Sequence, residues 1–310
     1  MSTTRIYVII NPASGQDKPV LAILNRAFQG TDITWEIGVT KAEGDAERLA
    51  REAVAEQYDI VAVFGGDGSV MAVAASLVGT DVPLAILPGG TANVMSVELG
   101  IPGDLAMAAA LMAEEHAIRR IDVGQIGERY FLLRVGLGLE AAMIEGAERE
   151  LKDRVGVLAY GVSAVQALRE PQLSQYHLTL DGQIVEAAGV GCIIANVGSL
   201  GQGNLSLLPD IAVDDGLLDV IVLERIDFTS LLTVASSVIR GTPAEQALLH
   251  WKAREITVLA DPPQPIQVDG EMLPHGQLSI RIHPAALSVI VPLAAIGDGD
   301  PVNASPSLRA

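Results

Sequence analysis

The sequence is poor in cysteine, lysine and aromatic side chains, and each shortage narrows what the protein can be. One cysteine, Cys192, occurs in 310 residues, so no intrachain disulfide can form. In its apolar surroundings, GVGCIIANV, a thiol packs as a small hydrophobe more often than it reacts. Lysine stands only at positions 18, 41, 152 and 252, which makes any lysine inside a motif a better functional candidate than usual. Most lysines are nonetheless solvated surface. Aromatics are 4% of the chain, so alanine and the aliphatic residues must supply the core. Basic residues are outnumbered, 20 against 38, and the resulting net charge of −18 repels nucleic acid phosphates and anionic membrane surfaces. No apolar run is long enough to span a membrane, and residues 6–10 are too short for a signal-peptide core, which predicts a cytoplasmic protein. The five histidines show neither zinc-ligand spacing nor a cysteine cluster beside them.

What is present is enough for a large core. Hydrophobic residues are 49% and charged residues 19%, values of a globular chain, and the length suggests about two domains. Residues 5–10 read as a strand ending in the loop NPASGQDK. A helix is expected over 44–57, with Ala46, Leu49, Ala50, Ala53 and Val54 at helical spacing. Further expectations are a buried strand at 58–64, a helix after GGDG, a strand at 83–88 and a helix from about 103 to 113. Strands alternating with helices predict an α/β domain over 1–122 with a parallel sheet covered on both faces.

Past residue 122 short strand candidates follow one another at 130–135, 176–180, 183–187, 190–196, 217–223, 255–259, 277–282 and 287–291, with helices near 155–168 and 228–240. These predict a β-rich second domain over 123–296. The tail 297–310, rich in Gly, Asp, Pro, Ser and Asn, is expected to be disordered.

Two glycine loops carry the sharpest chemical signal. Gly65-Gly66-Asp67-Gly68-Ser69 lies between a buried strand and a helix, where glycines admit a polyanion close to the backbone and the helix start offers N–H donors. Asp67 would repel phosphate unless a cation lay between them. Taken alone, the motif is equally a glycine-rich turn with an N-cap. The second loop, Leu87-Pro88-Gly89-Gly90-Thr91-Ala92-Asn93, follows the next strand. In a parallel sheet both loops, with Asn11, Ser14 and Gly15 after the first strand, open at one edge, which suits a nucleotide triphosphate. By contrast Gly136-Leu137-Gly138-Leu139-Glu140-Ala141 imitates a dinucleotide fingerprint but lacks a following βαβ unit, and reads better as a glycine bend.

NPASG at 11–15, GGDGS at 65–69 and LPGGTANVMSVELGIP at 87–102 resemble the N-terminal motifs of the diacylglycerol kinase catalytic superfamily, which includes bacterial lipid kinases and sphingosine kinases. Ile121-Asp122-Val123-Gly124, Ala195-Asn196, LLPDIAVDDGLLDVIVL at 207–223 and Val268-Asp269-Gly270-Glu271 continue the resemblance in the order of its soluble bacterial branch. It implies a nucleotide-binding α/β domain followed by a β-sandwich domain, with the active site in the cleft between them. It implies ATP and Mg²⁺ as cofactors, and transfer of the γ-phosphoryl group to a lipid hydroxyl such as that of diacylglycerol. Carried over by motif, Asn11, Thr40, Gly65, Gly66, Asp67, Gly68, Ser69, Val70, Met71, Gly90 and Thr91 would contact ATP. Asp269 would be the general base, with Glu271 assisting and Asp67 acting beside the phosphates. Asp215, with the carbonyls of Ala212 and Leu217, would hold a structural magnesium, a hard cation suited to oxygen ligands. A turn made by the Asp-Gly pair is compatible with that segment too. Lys152 sits at a position like the family's lysine near the phosphates, and reads equally as a solvated helix charge.

Where many bacterial relatives follow the Asn of the third motif with Asp, this chain has Asn93-Val94, and the resemblance implies a carboxylate missing from an acidic network that includes the positions of Asp67 and Asp122. The expected partner is a lipid substrate met transiently at the membrane surface, with a homodimer left open. Two alternatives stand beside the lipid-kinase reading. One is an NAD kinase or phosphofructokinase acting on a polar substrate. The other is a lipid-binding relative without catalysis.

Overall fold

The computed structural model describes residues 3–14, 18–138, 172–201, 206–208, 210–224, 248–295 and 303–304. The expected helices near 155–168 and 228–240, Gly15, Lys152 and nearly all of the tail lie outside them. The chain forms two compact units. The first takes in Met1–Val123, Ser199–Asn204 and Pro284–Ala310, and the second Gly124–Gly198 and Leu205–His283.

In the first unit β1 (Thr4–Ile10), α1 (Val20–Ala27), β2 (Ile33–Val39), α2 (Asp45–Ala55), β3 (Ile60–Gly65), α3 (Asp67–Leu77) and β4 (Leu84–Pro88) alternate, followed by α4 (Val94–Glu98) and α5 (Leu105–Ala110). The strands run parallel in the order β2-β1-β3-β4. Every residue of β3 and of β4 is buried, as a central parallel strand requires when helices cover both faces. The helices pair as α2 with α3 and α1 with α5. Each fully buried Val, Ile or Leu of this sheet contributes roughly 1.5–3 kcal/mol of transfer free energy.

The second unit is built from antiparallel strands. They are β5 (Ala117–Ile126), β6 (Arg129–Phe131), β7 (Arg134–Gly138), β8 (Ser174–Leu180), β9 (Gln183–Gly189), β10 (Gly191–Ala195), β11 (Leu218–Leu223), β12 (Leu248–Ala253), β13 (Glu255–Asp261), β14 (Ile266–Val268), β15 (Glu271–Leu273) and β16 (Leu278–Val291), with β5 entering it at Gly124 and β16 leaving it at His283. One sheet has the order β12-β11-β10-β7-β14-β15. Against it lies the layer formed by β9, β8, β13 and the first half of β16, which pair in that order. The two layers share a core of alternating inward residues, among them Val135, Leu137, Tyr176, Leu178, Cys192, Ile194, Val220, Val222, Ile256 and Val258. This is sandwich packing. Gly138, with φ +81°, ends β7 in a bend, and a Cβ there would meet the Val190 carbonyl at 2.7 Å.

Two strands expected at 277–282 and 287–291 are a single strand, β16. It kinks at Pro284-Ala285, where Ala285 takes φ +50° and its N–H donates to Asp122 Oδ1 at 2.7 Å. Asp122, almost fully buried, therefore fixes the point at which the chain returns to the first unit, where Val289 pairs with Leu84 of β4. Gly124 beside it is needed for space, because a Cβ there would run into the Phe131 ring paired across β5 and β6. Gly124→Ala is accordingly expected to destabilise the protein by about 1–3 kcal/mol through overpacking, measurable as a lowered denaturant midpoint with unchanged slope.

Candidate active site

The carboxyl ends of β1, β2, β3 and β4 lie on one edge of the first sheet, as parallel pairing demands. The connection from β1 goes to one side and the chain then crosses back to β3, so β1 and β3 flank a topological switch point, the usual ligand crevice of such sheets. Asn11, directly after β1, and Ser69, in the first turn of α3, meet across it with Asn11 Nδ2 donating to Ser69 Oγ at 2.8 Å. The Asn11 side chain also accepts from Ala13 N–H at 3.0 Å, and Ser14 Oγ donates to the Asn11 carbonyl at 2.7 Å, which shapes the first loop. Thr40, directly after β2, donates its N–H to the Ile10 carbonyl at 3.0 Å and so reaches the same edge.

The two glycine loops touch. Gly89 N–H donates to the Gly65 carbonyl at 2.9 Å, and a Cβ on Gly90 would lie 2.6 Å from the Gly66 Cα. A Cβ on Gly89 would meet both the Phe64 ring and Ser14 Oγ at 3.0 Å, so all three loops converge within van der Waals contact. Glycine is required here by close approach rather than by backbone angle. Asn93, with φ +48°, locks the second loop by accepting from Gly90 N–H and donating to the Gly90 carbonyl, each at 2.9 Å. Thr91 and Gly68 are exposed at this edge, whereas the Val70 side chain is turned into the core and Met71 is only partly exposed. Within the 65–71 segment Val70 thus has the burial of a packing residue.

The start of α3, capped by Gly66 with no side-chain acceptor, faces this edge. Asp67 is its first residue. Burial pushes the Asp67 carboxyl above the ordinary aspartate range, against the pull of the backbone N–H groups at the start of α4, and the bond from Met95 N–H is long at 3.4 Å. The carboxyl is thus turned toward the N–H groups that open α4. Val94 opens α4 and is buried. Glu98, at the end of α4, accepts from Ser199 N–H at 2.8 Å, and Gly201 lies against Ala92, so the 199–201 segment packs on the second loop. No sequence signal pointed to Ser199 or Gly201.

In the second unit Asp269 and Gly270, with φ +48° and +90°, form the two-residue turn between β14 and β15, the pairing of left-handed angles that suits a tight hairpin. The Asp269 carboxyl accepts three backbone N–H groups: Leu132 on Oδ2 at 2.8 Å, and Leu133 and Arg134 on Oδ1 at 3.0 and 2.9 Å. Its own N–H donates to the Arg134 carbonyl at 3.0 Å. Asn196, fully buried, holds the same segment by donating to the Leu132 carbonyl at 2.8 Å. The AN motif and the VDGE motif are therefore two clamps on one stretch, residues 132–134, which is why a strand expected over 130–135 breaks between β6 and β7. Burial raises the Asp269 pKa while the three N–H donors lower it, and burial prevails. Oδ2 accepts one of those bonds where Oδ1 accepts two, so it retains the freer lone pair. Glu271, at the start of β15, is exposed and pairs with Arg129 at 2.6 Å.

The segment proposed from sequence as a magnesium loop is closed by protein groups. Asp215 Oδ1 accepts from Leu217 N–H at 3.0 Å and Oδ2 from Lys252 Nζ at 2.7 Å. Among the described residues no three His, Cys, Asp or Glu side chains gather as a metal cluster, and no helix is long and apolar enough to cross a membrane.

Comparison with known proteins agrees with this layout. Residues 5–126 match the family model of the diacylglycerol kinase catalytic domain, and residues 134–291 that of the YegS C-terminal NAD kinase beta sandwich-like domain. A Stenotrophomonas maltophilia protein named as a probable lipid kinase, YegS-like, is 31% identical over 94% of this chain and 97% of its own. The diacylglycerol kinase of Bacillus subtilis is 27% identical over 93% of this chain and 96% of its own. A crystal structure of a diacylglycerol kinase from Bacillus anthracis superposes with a TM-score of 0.75 at 28% identity, covering 94% of this chain and 98% of that one.

Proposed function

Because the chain belongs to the diacylglycerol kinase catalytic-domain superfamily, in its bacterial branch, we propose that it transfers the γ-phosphoryl group of ATP to the hydroxyl of a diacylglycerol-like lipid. The observation that carries this reading is the convergence of three phosphate-suited loops at the switch point of the first sheet, with Gly66 and Gly90 in backbone contact. Phosphoryl transfer asks little covalent chemistry of a protein and much positioning, and backbone N–H groups at a helix start supply donors for phosphate oxygens at no reorganisation cost. Asn11, Thr40 and Thr91 would line the nucleotide, and Gly65 to Ser69 its phosphates. Magnesium, which neutralises charge on the transferring phosphates, would be held by Asp67.

Asp269 is proposed as the base. A neutral hydroxyl is a poor nucleophile, and a carboxylate within hydrogen-bond reach takes its proton as the O–P bond forms. Oδ2 is the oxygen suited to this, and a pKa raised by burial makes it a stronger base than an exposed aspartate. Glu271 would assist by holding Arg129. The net charge of −18 argues that the lipid is met at the membrane surface through apolar contact rather than through charge, and only transiently. The test is to extract the lipid that copurifies with the protein, identify it by mass spectrometry, and incubate the protein with ATP and magnesium. The bound species should gain one phosphoryl group. A lipid that stays bound and unmodified would favour a binding protein over an enzyme.

A further inference from the structure

We propose that Lys252 is a resident cation for the loop leading into β11, filling the position that the family resemblance gives to a magnesium ion at Asp215. Its ammonium donates to Asp215 Oδ2 at 2.7 Å and to the Asp210 carbonyl at 3.0 Å, and it lies 3.7 Å from Asp219 Oδ1. Two carboxylates and one backbone carbonyl around one positive charge are the oxygen set that a hard cation takes. The arrangement is built by the sheet, since Asp219 and Lys252 stand directly opposite each other across β11 and β12. Asp215 reaches the same ammonium from the turn just before β11.

The Asp219 side chain is fully buried, and its Oδ2 finds no hydrogen-bond partner among the described residues. A buried carboxylate left without positive charge is strongly destabilising, so the neighbouring cation is a requirement of the fold rather than a surface ornament. His250 Nε2 lies 2.6 Å from Asp219 Oδ1 and shares that carboxylate with the lysine. A divalent ion at Asp215 Oδ2 would have to expel an ammonium already bonded to the same oxygen, and the two like charges would repel at this range. Lysine is scarce in the chain, and this one reaches into the candidate metal loop from β12. The inference concerns the loop alone and holds whether or not the chain turns over ATP.

The test is thermal unfolding of the full chain without nucleotide, in EDTA and in millimolar MgCl₂ or CaCl₂. Wild type should unfold at the same temperature in all three. Lys252→Met should fall in EDTA by about 4 °C or more, and divalent cation should restore much of the loss as the vacated oxygens take up an ion. Adding Asp215→Asn to Lys252→Met should remove that rescue. Lys252→Arg, which keeps the charge, should fold and stay insensitive to metal. The proposal is overturned if wild type gains stability from divalent cation and Asp215→Asn abolishes the gain, because the ion then displaces the lysine. It is equally overturned if Lys252→Met matches wild type, or if its rescue survives Asp215→Asn.

Discussion

Asp269→Asn is expected to lower lipid phosphorylation by roughly 10²-fold or more while leaving ATP affinity unchanged. The carboxyl has one duty in the structure, as a clamp, and one proposed for it, as a base, and they separate in the readout. As a clamp it accepts N–H groups from Leu132, Leu133 and Arg134, and an amide oxygen can keep the bonds from Leu133 and Arg134 on Oδ1. The new amide nitrogen would face Leu132 N–H, donor against donor, so a stability loss of about 1–3 kcal/mol should accompany the change. As a base the carboxylate must be ionised. Its pKa is raised by burial, so the acid limb of kcat/KM should lie above the ordinary aspartate range, with the rate lost as pH falls through it. Asp269→Asn should abolish that limb, whereas Asn196→Ala, which loosens residues 132–134 from their other side, should keep it. Unchanged turnover in Asp269→Asn would leave the VDGE segment as a hairpin turn only.

Asp67→Ala should be nearly inactive, and Val94→Asp should lower the magnesium concentration for half-maximal rate several-fold. Asp67 is the carboxylate among the phosphate-suited loops, and on the proposed reading it faces the magnesium while the N–H groups that open α4 hold it in place. Val94 opens α4, whose first N–H groups point toward Asp67, so an aspartate there would stand beside it at a helix start that favours negative charge. Two neighbouring carboxylates bind Mg²⁺ better than one, though ATP oxygens and water can complete the shell around a single acid. Wild type is therefore expected to be active with a high magnesium requirement. Magnesium titrations at saturating ATP for the three proteins decide this, and an unchanged midpoint in Val94→Asp would remove Asp67 from the metal's surroundings.

The first unit's parallel sheet was legible because β1, β3 and β4 are short apolar runs, each ending in a glycine or asparagine loop. β2 was missed since it is an edge strand whose residues Ile37 and Val39 are exposed, which blurs the period-2 signal. α1 was missed because eight residues starting after Pro19 give too short a helical pattern. Pro284 reads as a strand break, yet the Asp122 carboxyl supports a kink there and the strand continues. Asn11, Thr40, Gly65 to Ser69 and Gly90 lie at one edge because the ends of parallel strands must share a side, which strand–loop alternation already implies. That alternation could not show that Asp269 holds residues 132–134, or that Lys252 meets Asp215. Those contacts join residues 135–137 and 37 positions apart, and only strand register brings them together.

The most direct measurement is transfer of γ-labelled phosphate from ATP in mixed micelles, with a panel of hydroxylated lipids offered beside NAD and fructose 6-phosphate. A chain whose glycine loops hold ATP and whose Asp269 takes the proton of a lipid hydroxyl should place the label in the organic phase, on a lipid. It should need magnesium and lose the product in Asp269→Asn. Label in NAD or the sugar phosphate with none in any lipid would contradict the lipid-kinase reading. Stoichiometric lipid binding without transfer in wild type, with transfer restored by Val94→Asp, would identify a lipid-binding relative that has lost catalysis.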